Sequence, residues 1–296
     1  MRTSPTVETA ALTRVFSRGV VRELGETGQS PLLARLLQQS GIPDSLPADA
    51  TLADAFDLAF SSLRRIGNRD DYVYRVAVTQ RIALGRHNLR TATIVNELRA
   101  RKSKADLVIL NGTSTAYEIK SERDSFSRLA GQIADYRAVF ASVYVVTSPM
   151  QACAALSITP NDVGVLVLSS RFRLQVERQA IDQPERVDPL SILDTLRVQE
   201  AIDVASDAGI DFPNVPNTQR WHVLREIFAS LGSRTVHDAT VRVLRTSRSR
   251  AELEPYLKEL PLSLRAAALA TDLSVTARQN LTAAAWLPLR TALAWS

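Results

Sequence analysis

Between residues 92 and 168 the apolar residues leave the helical spacing of the flanking sequence and fall into short runs rich in Val, Ile and Tyr. Five such runs, 92–98, 105–110, 113–120, 142–147 and 163–168, read as strands. One amphipathic stretch, Asp124 to Phe140, lies between the third and the fourth and reads as a helix. This order predicts an α/β protein: a mixed central sheet flanked by helices, framed by helical N- and C-terminal segments. In the N-terminal flank Leu32, Leu33, Leu36 and Leu37, then Leu52, Ala55, Phe56, Ala59, Phe60 and Leu63, recur at helical spacing on either side of a Pro/Asp/Ser break at 43–50. Asp49 or Thr51 could start the second of these helices. A further helix is expected from Asp71 to Leu84, ended by Gly85. Loop-like breaks at 182–189 and 211–217 interrupt a C-terminal part that is otherwise helical. The expected organisation is a helical segment 1–68, a core 69–180 and a helical region 185–296.

Composition narrows the class. Hydrophobic residues make up 45% and charged residues 23%, ordinary for a globular chain. The formal net charge of +5 permits a polyanionic partner without demanding one. The single cysteine, Cys153, excludes an internal disulfide framework and reads as a small buried hydrophobe. With only His87, His222 and His237 beside it, a structural zinc site is not expected. No apolar stretch reaches a membrane span or forms a leader, so the expected location is the cytoplasm. Trp221, Trp286 and Trp295 read as packing residues.

Four lysines stand against 32 arginines, and three of the four lie between positions 102 and 120. Arginine supplies the bulk positive charge, so lysine stands where a compact donor of tunable pKa is wanted. On a strand ending at Lys120, Glu118 and Lys120 share a face while Tyr117 and Ile119 take the other. On the preceding strand Asp106, Val108 and Leu110 share a face. Asn111-Gly112 signals a hairpin. A two-residue turn would oppose Asp106 with Tyr117; a three-residue loop, Asn111 to Thr113, would pair Leu110 with Ser114 and Asp106 with Glu118. The second register, or a bulge of the same effect, is the expectation. Two carboxylates then meet beside one lysine, an arrangement that a divalent cation with hard-oxygen preference would relieve, Mg²⁺ first and Mn²⁺ as a substitute. Such an ion polarises a phosphate and activates water, with Lys120 orienting that water or offsetting charge on phosphorus.

Lys104-Ala105-Asp106, Tyr117-Glu118-Ile119-Lys120 and Gln132-Ile133-Ala134-Asp135-Tyr136 together resemble the PD-(D/E)XK nuclease superfamily. The last five residues match the QxxxY motif of its RecB-like members. The order of a KSKAD segment, an NG hairpin, a YEIKSE strand and a helix of the pattern RLxxQxxDY resembles a small bacterial branch, over about residues 70–150. The resemblance implies a restriction-endonuclease-like core. It implies Asp106 and Glu118 as metal ligands with the Ile119 carbonyl, Lys120 as the catalytic lysine, and Gln132 and Tyr136 facing substrate. The proline of the family's name is replaced by Ala105. An additional acid is usual in such sites: Glu97 is the preferred candidate, Asp70 or Asp71 the alternative, although an acid at a helix start also serves as a cap.

Gln132 and Tyr136, four apart, share one helix face, while Phe126, Leu129, Ile133 and Phe140 mark the face that packs on the sheet. Arg99, Arg101, Lys102 and Lys104 are placed to contact phosphates beside the scissile one. A second basic run, Arg242, Arg245, Arg248 and Arg250, reads as a solvated face. The expected function is magnesium-dependent hydrolysis of nucleic acid, DNA in preference to RNA. The competing reading is a non-catalytic nucleic-acid- or partner-binding protein that retains the fold. A third places a protein partner on the C-terminal helices, with the nuclease as effector.

Overall fold

The computed structural model describes residues 5–65, 67–85 and 88–295. His87 lies outside them. The chain forms two compact units, one of residues 1–80 with 252–296, the other of 81–251.

The first unit is helical: α1 (Pro5–Val15), α2 (Arg18–Thr27), α3 (Pro31–Ser40), α4 (Leu52–Leu63) and α5 (Asp71–Val78) from the N-terminal part. Of the two possible starts for α4, Thr51 is the one used. Its hydroxyl accepts from the Asp54 N–H and the Asp54 carboxylate accepts from the Thr51 N–H, a reciprocal capping box. Asp70 caps α5 by accepting from the Val73 N–H. That helix is shorter than the expected 71–84, because a π-helical stretch, Thr79–Ala83, takes over.

The second unit carries a six-stranded sheet in the order β1 (Thr93–Ala100), β2 (Ser103–Leu110), β3 (Ser114–Ile119), β4 (Ser142–Thr147), β5 (Gly164–Leu168) and β6 (Leu174–Arg178). β1, β2 and β3 are antiparallel neighbours, β3, β4 and β5 run parallel, and β6 returns antiparallel. The parallel pairs require crossovers. These are α6 (Leu129–Arg137) between β3 and β4, and α7 (Ala152–Ile158) between β4 and β5. The expected α/β class, with a mixed sheet, flanking helices and helical termini, is the observed one.

Helices α8 (Pro189–Leu193), α9 (Val198–Asp207), α10 (Asn217–Ser230) and α11 (Ser233–Ser247) belong to the same unit as the sheet. Leu193, Val204, Phe228 and Leu244 share one buried cluster with Val108, Ala116, Val143 and Val165 of the strands and Leu129 and Ile133 of α6. The expected region 185–296 is thus divided. Its first part closes the sheet's core, and its last four helices, α12 (Glu254–Glu259), α13 (Arg265–Leu269), α14 (Val275–Ala285) and α15 (Leu289–Leu293), pack in the other unit with α2, α3, α4 and α5.

Three expectations need correction. β6 was not foreseen because its residues are mostly exposed and polar, so no buried alternation marks it. Cys153 is exposed on α7, where a buried site was expected. Trp286 is 54% exposed, held at its edge by an indole N–H donated to the Glu259 carbonyl. Among the described residues no helix is long and apolar enough to cross a membrane.

Candidate active site

The β2–β3 register decides which acids can meet. Leu110 pairs with Ser114, Val108 with Ala116 and Leu107 with Tyr117, the register of a three-residue loop. Gly112, the middle loop residue, takes the left-handed conformation at φ +71, and the Asn111 N–H closes the loop on the Thr113 carbonyl. Thr113, the last loop position, is not left-handed, so the loop solves its geometry one residue earlier than the usual three-residue pattern. Counting on from Leu107 and Tyr117 puts Asp106 opposite Glu118. There the ladder gives way: an Asp106 carboxylate oxygen accepts from the Ile119 N–H at 2.8 Å.

Glu118 is 2% exposed, and its carboxylate is satisfied on both oxygens. Oε1 accepts from Lys120 Nζ at 2.7 Å and from Gln132 Nε2 at 2.6 Å; Oε2 accepts from the Tyr136 hydroxyl at 2.7 Å. Lys120 Nζ also donates to Gln132 Oε1 at 3.0 Å, closing a triangle of lysine, carboxylate and amide. The Lys120 backbone is pinned on both sides, its N–H to the Val146 carbonyl and its carbonyl to the Thr147 hydroxyl. Tyr136 lies 2.8 Å from the Lys104 carbonyl as well, so its single proton serves two acceptors. Burial and the Glu118 carboxylate, with a smaller effect of Asp106, push the Tyr136 pKa far above the usual phenol range. It therefore remains a donor and does not act as a base.

Asp106, Glu118, Lys120, Gln132 and Tyr136 are brought together by β2, β3 and α6. Glu97 lies on β1 across from Asp106, since Asn96 pairs with Leu107 and Leu98 with Ala105. The ladder omits that position, and Glu97 has a left-handed φ of 54. Leu98, Ala100 and Ala105 enter the same core cluster as Val108 and Leu110, so the in–out alternation is broken at the two acids. Glu97 is engaged by Lys104 Nζ at 2.6 Å.

The basic residues before Asp106 occupy the β1–β2 hairpin tip. Arg101 is left-handed, φ 53, and stays exposed, while its guanidinium donates to Ser191 and to Asp188. Arg99, Lys102 and Lys104 are exposed. Two contacts to which the sequence assigns no role support the site: Ser103 donates to Asp135 at 2.7 Å, fastening the hairpin to α6, and Asp124 accepts from the Ser121 N–H and hydroxyl just after Lys120. The sequence signal of the second is the short polar spacing Ser121 to Asp124, typical of a side-chain-capped turn.

Among the described residues, no group of three or more His, Cys, Asp or Glu side chains stands ready to hold a metal. The oxygens of Asp106 and Glu118, with Glu97 and the Ile119 carbonyl, are all hard donors and suit Mg²⁺ by kind. Taking up a cation requires Glu118 to share an oxygen now given to Lys120, Gln132 or Tyr136.

A second constellation, Ser114, His237 and Asp238, has the composition of a nucleophile triad. His237 Nε2 lies 3.0 Å from Ser114 Oγ and Nδ1 lies 2.7 Å from Asp238 Oδ1. Ser114 is 4% and His237 2% exposed, and the Ser114 hydroxyl also accepts from the Ala141 N–H. With both side chains buried, the set fastens α11 to the start of β3.

A family model described as bacteriophage P4 protein cII matches residues 65–274. The chain belongs to that family. Its match spans the whole sheet unit and thus all the residues gathered above. Within the cII family, Protein cII of Enterobacteria phage P4 is 32% identical over 133 residues, 43% of this chain and 49% of that one. The chain therefore spans about half the length of this curated relative. A solved structure, a protein of unknown function from Silicibacter pomeroyi, is similar over 41% of this chain and 77% of its own, at 18% identity and a TM-score of 0.31. That superposition is too loose to transfer fold or function.

Proposed function

We propose that this cII-family chain is a metal-dependent phosphodiesterase acting on nucleic acid, DNA in preference to RNA, with the site chemistry of the PD-(D/E)XK nucleases it resembles. The observation that carries this reading is the geometry at the end of β3: Lys120 Nζ held by Glu118 and Gln132, with Asp106 opposite and anchored on the Ile119 N–H. Asp106 and Glu118 would hold Mg²⁺, with the Ile119 carbonyl and Glu97 as further oxygens. When bound, the ion would polarise the scissile phosphate and make an attacking water more acidic.

The chain's own residues divide the remaining work. Lys120 supplies a positive charge, aimed by Glu118 and Gln132, to orient the attacking water and offset charge growing on the phosphate oxygens. Gln132 spans lysine and carboxylate, so it can keep Nζ in place while Glu118 changes partners. Tyr136 holds Glu118 from behind and secures the Lys104 carbonyl at the entry to the Asp106 strand. Arg99, Lys102 and Lys104 at the hairpin tip would meet phosphates flanking the scissile one.

One observation favours a second reading. The Glu118 carboxylate is fully satisfied by protein donors, as a purely structural network would require. In that case the chain binds nucleic acid or a partner without turnover. Cleavage of plasmid and single-stranded DNA in Mg²⁺ or Mn²⁺ separates the two. Activity that is abolished by EDTA, by Lys120→Ala and by Asp106→Ala, with folding intact, supports the enzyme. Cleavage indifferent to both substitutions, or none on any substrate, favours the binding protein.

A further inference from the structure

The second basic run is not one uniform face. Arg248 is spent on Glu200, with Nη2 2.6 Å from Oε2. Arg242 is oriented by Asp207, both Nε and Nη2 donating to one carboxylate oxygen. Arg245 is half-buried, and among the described residues its guanidinium has no acidic partner. Arg242 and Arg245, together with Arg90, Thr246 and Ser249, line an open cleft of about 490 Å³. No acid lines it.

The carbonyls at the end of α11, which would oppose an anion, are already used. Leu244 accepts from the Arg248 N–H, Arg245 from the Thr93 hydroxyl and Thr246 from the Ser249 N–H. The cleft is lined by arginine, threonine and serine with no apolar or aromatic residue, so it can grip a phosphate without reading what the phosphate carries. That is the chemistry of backbone contact and not of a metabolite pocket. Its place matters too. Thr93 pairs with Leu110, four residues along β2 from Asp106, roughly 13 Å at about 3.3 Å per residue. The β1–β2 ribbon thus bears positive charge at both ends with the acids between.

We propose that the Arg90, Arg242 and Arg245 cleft is a phosphate site for a nucleic-acid backbone lying along the β1–β2 ribbon. The proposal rests on nucleic acid being the ligand of the candidate site, though not on turnover. The test is fluorescence anisotropy in EDTA with labelled single-stranded and duplex oligonucleotides across a KCl series. The proteins are wild type, Arg245→Gln, Arg90→Gln, Arg245→Lys and Lys120→Ala, each with a thermal melt. Each Gln variant should weaken binding and flatten the slope of log K against log salt by about 0.7 for single strands or about 0.9 for duplex. Arg245→Lys should restore most of the slope, because charge is what counts.

An unchanged affinity and slope in both Gln variants overturns the site. So does inorganic phosphate that binds as tightly as the oligonucleotides, which would assign the cleft to a free anion. Cleavage in Mg²⁺ is read separately: a slope change without cleavage in wild type leaves this site standing and refutes the nuclease reading.

Discussion

Lys120, just past the end of β3, and Glu118, on it, hold each other inside the protein, with Nζ 2.7 Å from Oε1 and side chains 9% and 3% exposed. A pair so buried is sensitive to losing one member, because the other is left charged without its counterion. Lys120→Met should lower stability by about 3 kcal/mol, while adding Glu118→Gln to it should recover part of the loss. Urea unfolding of the two single variants and the double variant measures the coupling; additive losses would mean that the pair does not act as a unit.

Tyr136→Phe removes one hydroxyl that serves both Glu118 and the Lys104 carbonyl. The expected loss is about 1–2 kcal/mol, since two buried acceptors lose their donor and the ring itself still fits. Equilibrium denaturation checks this, and a variant as stable as wild type would show that water replaces the hydroxyl.

Much of this site could be read from the chain alone, and the reasons are local. The strands β2 and β3 are dense in β-formers, the Asn111-Gly112 turn fixes where they reverse, and a side-chain period of two then dictates that Glu118 and Lys120 project together. Gln132 and Tyr136 followed from a period of four on a helix. What was not legible depends on contacts across long sequence separations. β6 is stabilised by pairing with β5 and carries little apolar signal of its own. Arg101 looks like a free cation until Asp188 and Ser191, far along the chain, are folded against it. The meeting of His237 with Ser114 depends on how α11 docks, which no spacing encodes.

Acid should loosen the sheet unit through Glu200. Burial alone would raise its pKa, but the Arg248 guanidinium and the Arg197 N–H outweigh that and bring it below the usual carboxylate value. A carboxylate depressed in the folded state stabilises fully above its unfolded pKa of about 4.3 and loses that contribution as pH falls through the folded value. Stability measured by urea titration should therefore decline below about pH 4.3 in wild type and decline less in Glu200→Gln. Equal slopes in the two proteins would rule out Glu200 as a source of the acid sensitivity.

Gly164 is demanded by its neighbour on β4. A Cβ there would lie 2.2 Å from the Tyr144 ring and 2.8 Å from the Ala180 nitrogen. Gly164→Ala should destabilise by about 1–3 kcal/mol or prevent folding, as overpacking does. Trimming the ring with Tyr144→Ala should relieve the ring clash and leave the backbone one, so the double variant should be only partly rescued relative to Tyr144→Ala. Soluble yield and thermal melts read this directly.

A fluorophosphonate probe should leave native Ser114 unlabelled despite its histidine and aspartate, because the hydroxyl is enclosed. Labelling located at Ser114 by mass spectrometry, and absent in Ser114→Ala, would mean that the Ser114 hydroxyl is reached from solvent.

Asp106, Glu118, Lys120, Gln132 and Tyr136 fall between positions 106 and 136, on β2, on or just past β3, and on α6. Short separations close with little loss of chain entropy, so this piece can organise early, before the remaining helices dock. A segment of that kind can also be inherited whole. Recombination in the sequence on either side could exchange the flanking helices while the Glu118, Lys120, Gln132 and Tyr136 network passes on untouched.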